Sequence, residues 1–140
     1  MFWHKIIPEI NLYLQYFQGE FKLDSAINAM AAVINEPQYN SGYNSIIDFR
    51  DTSFVFTEAE IQQFVSFIVK ANAAEKRRKV SLLTSNPNQV FYLSLFTHFA
   101  QNIKVNYNIF STVDAAIEWI ETDKINFQFI KDEIRLIRST

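Results

Sequence analysis

Short apolar runs alternate with helix-period stripes along most of this chain, and few architectures accommodate that order. Trp3 to Ile7 is a first apolar run, broken at Pro8-Glu9. From Ile10 the period is two: Ile10, Leu12, Leu14 and Tyr16 point one way, and Asn11, Tyr13, Gln15 and Phe17 the other. That is a strand. Pro8 suits a turn between two strands better than a strand interior, and Gln18-Gly19-Glu20 is expected to close the pair. Asp24 then reads as an N-cap. Ile27, Met30, Ala31 and Ile34 form the stripe of the helix it opens, which Pro37 stops.

Ser45 to Phe49 is the next strand, followed by a polar turn, Arg50-Asp51-Thr52-Ser53. Thr57 with Glu60 three residues on forms a capping box. Ile61, Phe64, Val65 and Ile68 carry that helix to about Ala74. Lys76-Arg77-Arg78-Lys79 reads as its solvated basic end, complementing the helix dipole; the other reading is a patch for anionic lipid or nucleic acid. Val80 to Thr84 is a third core strand. Asn86-Pro87 starts a helix with proline at its first position, buried along Tyr92, Leu95, Phe96, Phe99 and Ile103. Val105 to Phe110 is a strand, and Ser111 with Asp114 resembles another capping box before Val113, Ala116, Ile117 and Ile120.

Single strands separated by helices imply parallel pairing through right-handed crossovers. The expected fold is α/β, a mixed five-stranded sheet with one antiparallel strand and helices packed on it, in the order β-β-α-β-α-β-α-β-α. Residues 1–122 form this domain, and residues 123–140 a C-terminal extension packing on it or on a second copy. In that tail Ile125, Phe127 and Phe129 alternate like a strand, whereas Ile130, Ile134 and Ile137 are spaced like a helix.

Composition narrows the function. Hydrophobic residues make up 49%, 14 of them Phe, so core material is plentiful. A formal charge of -2 argues against a dedicated nucleic-acid binder. With no cysteine, disulfides, thiol catalysis and thiolate metal sites are excluded. Gly19 and Gly42 are the only glycines, too few for a phosphate loop, a dinucleotide fingerprint or a nucleophile elbow. His4 and His98 stand apart, no spacing suggests a metal site, and no cofactor is expected. No apolar run approaches a membrane span, and Met1-Phe2-Trp3-His4-Lys5 lacks a signal-peptide layout. A cytoplasmic protein is expected.

The element order resembles the anti-sigma factor antagonist (STAS, SpoIIAA-like) fold over roughly Trp3 to Ile120. The likeness is carried by Ile46-Ile47-Asp48-Phe49, by Ser53-Phe54-Val55 leading into a helix, and by Phe110-Ser111 with Ala115-Ala116-Ile117-Glu118-Trp119-Ile120. It implies a non-enzymatic regulatory module with a protein partner such as a kinase or an anti-sigma-like protein. The family's turn before the second helix reads Asp-Ser-x-Gly, with the serine phosphorylated. Phe56-Thr57-Glu58-Ala59 stands there in this chain, so only the hydroxyl is kept. Thr57 is either a phospho-acceptor or simply a helix cap.

The second candidate site is the rim where parallel strands end, the usual ligand edge of open α/β sheets. Arg50, Asp51, Thr52, Ser53 and Glu58 belong to it, with Thr84, Ser85, Asn86 and Ser111. Arg50 would hold an anion there, with help from free backbone N–H groups at helix starts; otherwise these residues are ordinary loop and cap chemistry. Asp48 and Asp51 are either an acid–base pair or, with Asp48 inside its strand, an ordinary strand residue and strand-end carboxylate. Trp3, Tyr13, Phe17 and Phe21 are either core or an exposed aromatic interface. The alternative function is a binding domain for a small anionic or lipid-like ligand, at this rim or in a Phe-lined cavity between helix and sheet. The tail leaves room for a homodimer.

Overall fold

The computed structural model describes residues 1–71, 75–121 and 123–140. Its strands are β1 (Phe2–Ile7), β2 (Leu12–Phe21), β3 (Asn44–Phe54), β4 (Arg78–Leu83) and β5 (Val105–Phe110). Its helices are α1 (Leu23–Ile34), α2 (Glu58–Lys70), α3 (Pro87–Phe99), α4 (Val113–Ile120) and α5 (Phe127–Arg138). The strands lie side by side in chain order. β1 is antiparallel to β2, and every other neighbour pair is parallel. The expected mixed five-stranded α/β architecture is the one observed.

Each crossover steps one strand in the same direction, so right-handed connections carry α1, α2 and α3 over one face of the sheet. There Tyr13, Phe17, Phe49, Val80 and Leu82 meet Met30, Val33, Ile61, Ile68, Leu93 and Phe96. On the opposite face Leu12, Leu14 and Ile46 meet Ala116 and Ile117 of α4 and Ile130 and Ile134 of α5. The tail is therefore helical and covers its own domain. Lys5 to Glu133 (2.7 Å) and Lys131 to Asp114 (2.8 Å) rim that contact. The proposed boundary at residue 122 lies outside the described residues, as does the expected helix end at Ala74. No helix among the described residues is long and apolar enough to cross a membrane.

Several expected boundaries move, each for a physical reason. Pro8–Ile10 forms a 3₁₀ turn, with Asn11 left-handed at φ 54°, so β2 starts at Leu12 rather than Ile10. Asn is among the few side chains that tolerate that conformation. β2 does not close at Gln18-Gly19-Glu20. It continues because Gly19, Glu20 and Phe21 pair with Thr52, Ser53 and Phe54 of β3. Lys22 takes the cap position of α1, and Asp24 lies within its first turn. The basic run is not a solvated helix end: Arg78 and Lys79 open β4. Arg78 is 4% exposed. It donates to the Tyr13 hydroxyl at 3.0 Å and the Ser45 hydroxyl at 3.3 Å. Lys79 lies over the Trp119 ring and donates to its carbonyl. Tyr13, Phe17 and Phe21 are core, and Trp3 stacks on Tyr16.

Candidate functional site

The polar residues after Phe49 do not form a turn. β3 runs on through them to Phe54, and a bulge rearranges which way they face. Tyr16 pairs with Asp48 and Gln18 with Asp51, so β3 carries one extra residue. A bulge of this kind re-aims side chains. Here it brings Asp51 round to the α5 side, where Asp48 and Arg50 already meet. Arg50 binds Asp48 through Nε (2.9 Å) and Nη2 (2.7 Å). Arg138 of α5 binds Asp51 through Nε (2.9 Å) and Nη2 (3.0 Å), and the Tyr16 hydroxyl donates to Asp51 at 2.7 Å.

These bonds fix the charges. The Arg138 hydrogen bonds hold the Asp51 carboxyl down to about 2. Burial, helped by the hydrogen bond to Asp51, pushes the Tyr16 hydroxyl up to about 12. Asp48 and Asp51 are thus each committed to an arginine rather than paired as acid and base. Arg50 is likewise occupied, so it does not offer a free guanidinium to an anion.

The rim itself is organised by Gln89, fully buried in the first turns of α3. Its Nε2 donates to the carbonyls of Thr52 (2.9 Å) and Arg50 (3.3 Å), and its Oε1 accepts from the Ser85 backbone at 2.7 Å. The Ser85 hydroxyl donates to the Arg50 carbonyl at 2.7 Å, and Asn86 caps α3 by accepting from the Gln89 amide. Gln89 thereby satisfies β3 carbonyls beyond Asp48, where the pairing with β4 ends, groups that burial would otherwise penalise. Thr52 turns its hydroxyl to the Phe49 carbonyl, and Thr84 donates to the Phe110 carbonyl.

Thr57 is the cap of α2: its hydroxyl accepts from the Glu60 amide at 3.1 Å, and Glu60 accepts from the Thr57 amide at 2.8 Å. α4 is capped by Thr112 rather than Ser111, its hydroxyl accepting from the Ala115 amide. Ser53, Glu58 and Ser111 are exposed. The structure therefore joins Arg50, Thr52, Ser85 and Asn86 into one network, sends Asp51 to α5, and leaves Ser53, Thr57, Glu58 and Ser111 facing solvent.

Sequence reasoning missed two features of this rim. One is Gln89, whose burial no local pattern signals. The other is apolar: Phe54 stacks on Tyr92, and their chain neighbours Val55 and Phe91 are 46% and 59% exposed. The histidines are elsewhere. His4 meets Glu36 at 3.1 Å, and His98 lies exposed near the end of α3. Comparison with family models, curated proteins and solved structures yields no match for this chain.

Proposed function

We propose that the chain is a non-enzymatic protein-interaction module, cytoplasmic, whose regulatory partner docks on the strand-end rim. The observation that carries this reading is the exposure of Phe91 and Val55 beside solvent-facing Ser53, Thr57 and Glu58. Aromatic side chains are enriched at protein interfaces relative to the rest of the surface. Two features support it. The strands follow one another without reversal, so the rim lacks the crevice that a switch in strand order opens for small ligands. Asp48 and Asp51 are also held by Arg50 and Arg138, which disfavours acid–base chemistry by that pair.

Thr57 acts here first as a cap. A phosphate on it would face the α2 N-terminus but also Glu58 and Glu60, which repel it. A kinase or an anti-sigma-like protein remains the partner class that the resemblance implies. A second copy of the chain would use the outer side of α5, where Phe129 and Leu136, seven residues apart, stay exposed.

Immobilised protein, its Phe91→Asp variant and a Lys104→Glu variant at the other end of the sheet test the reading in native extract. The expected result is a captured protein that Phe91→Asp loses and Lys104→Glu keeps. Capture of nothing, or capture indifferent to Phe91→Asp, overturns it.

A further inference from the structure

The face under α1, α2 and α3 is not completely filled. A cavity of about 60 Å³ lies between the sheet and these helices. Its wall is almost wholly hydrocarbon and aromatic, including Phe49, Phe64, Met30 and Leu82, and no charged side chain among the described residues lines it. Gln15 of β2 does reach it. This residue is 3% exposed, and its Nε2 has no hydrogen-bond partner among the described residues.

A buried amide donor left unsatisfied costs free energy, and an apolar wall gives it nothing to bind. The alternating register explains why it sits there. Tyr13, Gln15 and Phe17 share the face of β2 that looks toward the helices, so Gln15 is held in the wall between two aromatic residues. Phe56 and Tyr92, both half-buried, line the cavity at the rim end.

We propose that this cavity binds a small neutral apolar molecule carrying one hydrogen-bond acceptor, its hydrocarbon filling the aromatic chamber and its oxygen meeting Gln15 Nε2 once the side-chain amide turns toward the chamber. The volume admits a chain of about four to six carbons, taking one water-sized probe as roughly 10–15 Å³. The head group is neutral because a carboxylate buried here would have no cation in the lining to offset its desolvation. This narrows the anionic or lipid-like ligand considered from the sequence to a neutral apolar one. Phe56 and Tyr92 adjoin the partner surface at the rim, but ligand binding here does not rest on a partner being bound there.

The test is a titration of methyl-labelled protein with 1-hexanol, with hexanoate and benzene as comparison probes. Saturable shifts of the Met30, Ile47 and Leu82 methyls are expected with hexanol and not with hexanoate at neutral pH. Gln15→Leu, which removes the unpaired amide and should keep the fold, is expected to weaken hexanol about three- to tenfold, the range of one hydrogen bond, while leaving benzene binding unchanged. Ala29→Met, which fills the chamber from α1, should abolish the shifts of both. Absence of saturable methyl shifts, equal hexanol binding by Gln15→Leu, or hexanoate binding as tight as hexanol would each overturn the proposal.

Discussion

Gln89 shows how one side chain can decide the shape of a rim. Its amide closes three backbone groups around the β3 bulge. Gln89→Ala strands buried carbonyls, and a loss of about 3 kcal/mol is expected in chemical denaturation, since each orphaned group costs roughly 1–3. A loss below about 1 kcal/mol means that water replaces the amide and the clamp is dispensable. Thr57→Ala should cost about 1 kcal/mol, the usual value of a lost cap; no change in stability removes Thr57 from that role. Asp51 gives a pH prediction. Its carboxyl titrates at about 2 when folded, against 3.8 ordinarily. The unfolded chain therefore takes up this proton first on acidification. The Asp51–Arg138 pair stabilises the fold above about pH 4, and that contribution is lost between about pH 4 and pH 2. In Arg138→Gln the fall in stability over that window should be shallower than in the parent chain; parallel curves would show that the pair does not form in solution. None of these partnerships is written in local sequence. Arg78 reads as part of a solvated helix end and Gln89 carries no signal, because their burial depends on groups 65 and 37 positions away.

Elements were far more legible than boundaries. The stripes Ile61-Phe64-Val65-Ile68 and Ile130-Ile134-Ile137 each report a helix, because helical period is a local property. The strand β3 was read five residues short at its C-terminal end. Arg50 to Ser53 look like a turn, yet Tyr16, Arg138 and Gln89 satisfy them inside the sheet. The tail was ambiguous because Phe127 and Phe129 also alternate; burial of Ile130 and Ile134 against Leu12 and Leu14 resolves it. Removal of α5 would bare that second core. A chain ended after residue 122 is expected to lose cooperative unfolding and to bind a hydrophobic dye; retention of a sharp transition would mean that α4 alone suffices to cover this face. Trp119 lies half-buried on Phe110, with ring centres 5.7 Å apart. Trp119→Ala should therefore cost about 2 kcal/mol, less than the 3–5 of a fully buried aromatic.

At the scale of the whole molecule, the sheet separates two differently finished faces. One is closed by the crossover helices over an imperfectly filled aromatic chamber, the other by α4 and α5. The rim is where both faces and the strand ends meet. Its position followed from the alternation of strands and helices, because parallel crossovers return every loop to the same edge. Its surface character did not follow, since exposure of Phe91 depends on how far α3 overhangs the sheet. The chain has no cysteine, so a single nitroxide at Ser53→Cys reports on this arrangement without background. Paramagnetic broadening of backbone amides is the most direct measurement. Strong broadening is expected at Asn86 and Ser111, and none at Asn44 and Val105 on the opposite edge. Broadening of Asn44 and Val105 with Ser111 unaffected would contradict the common rim on which the functional reading stands.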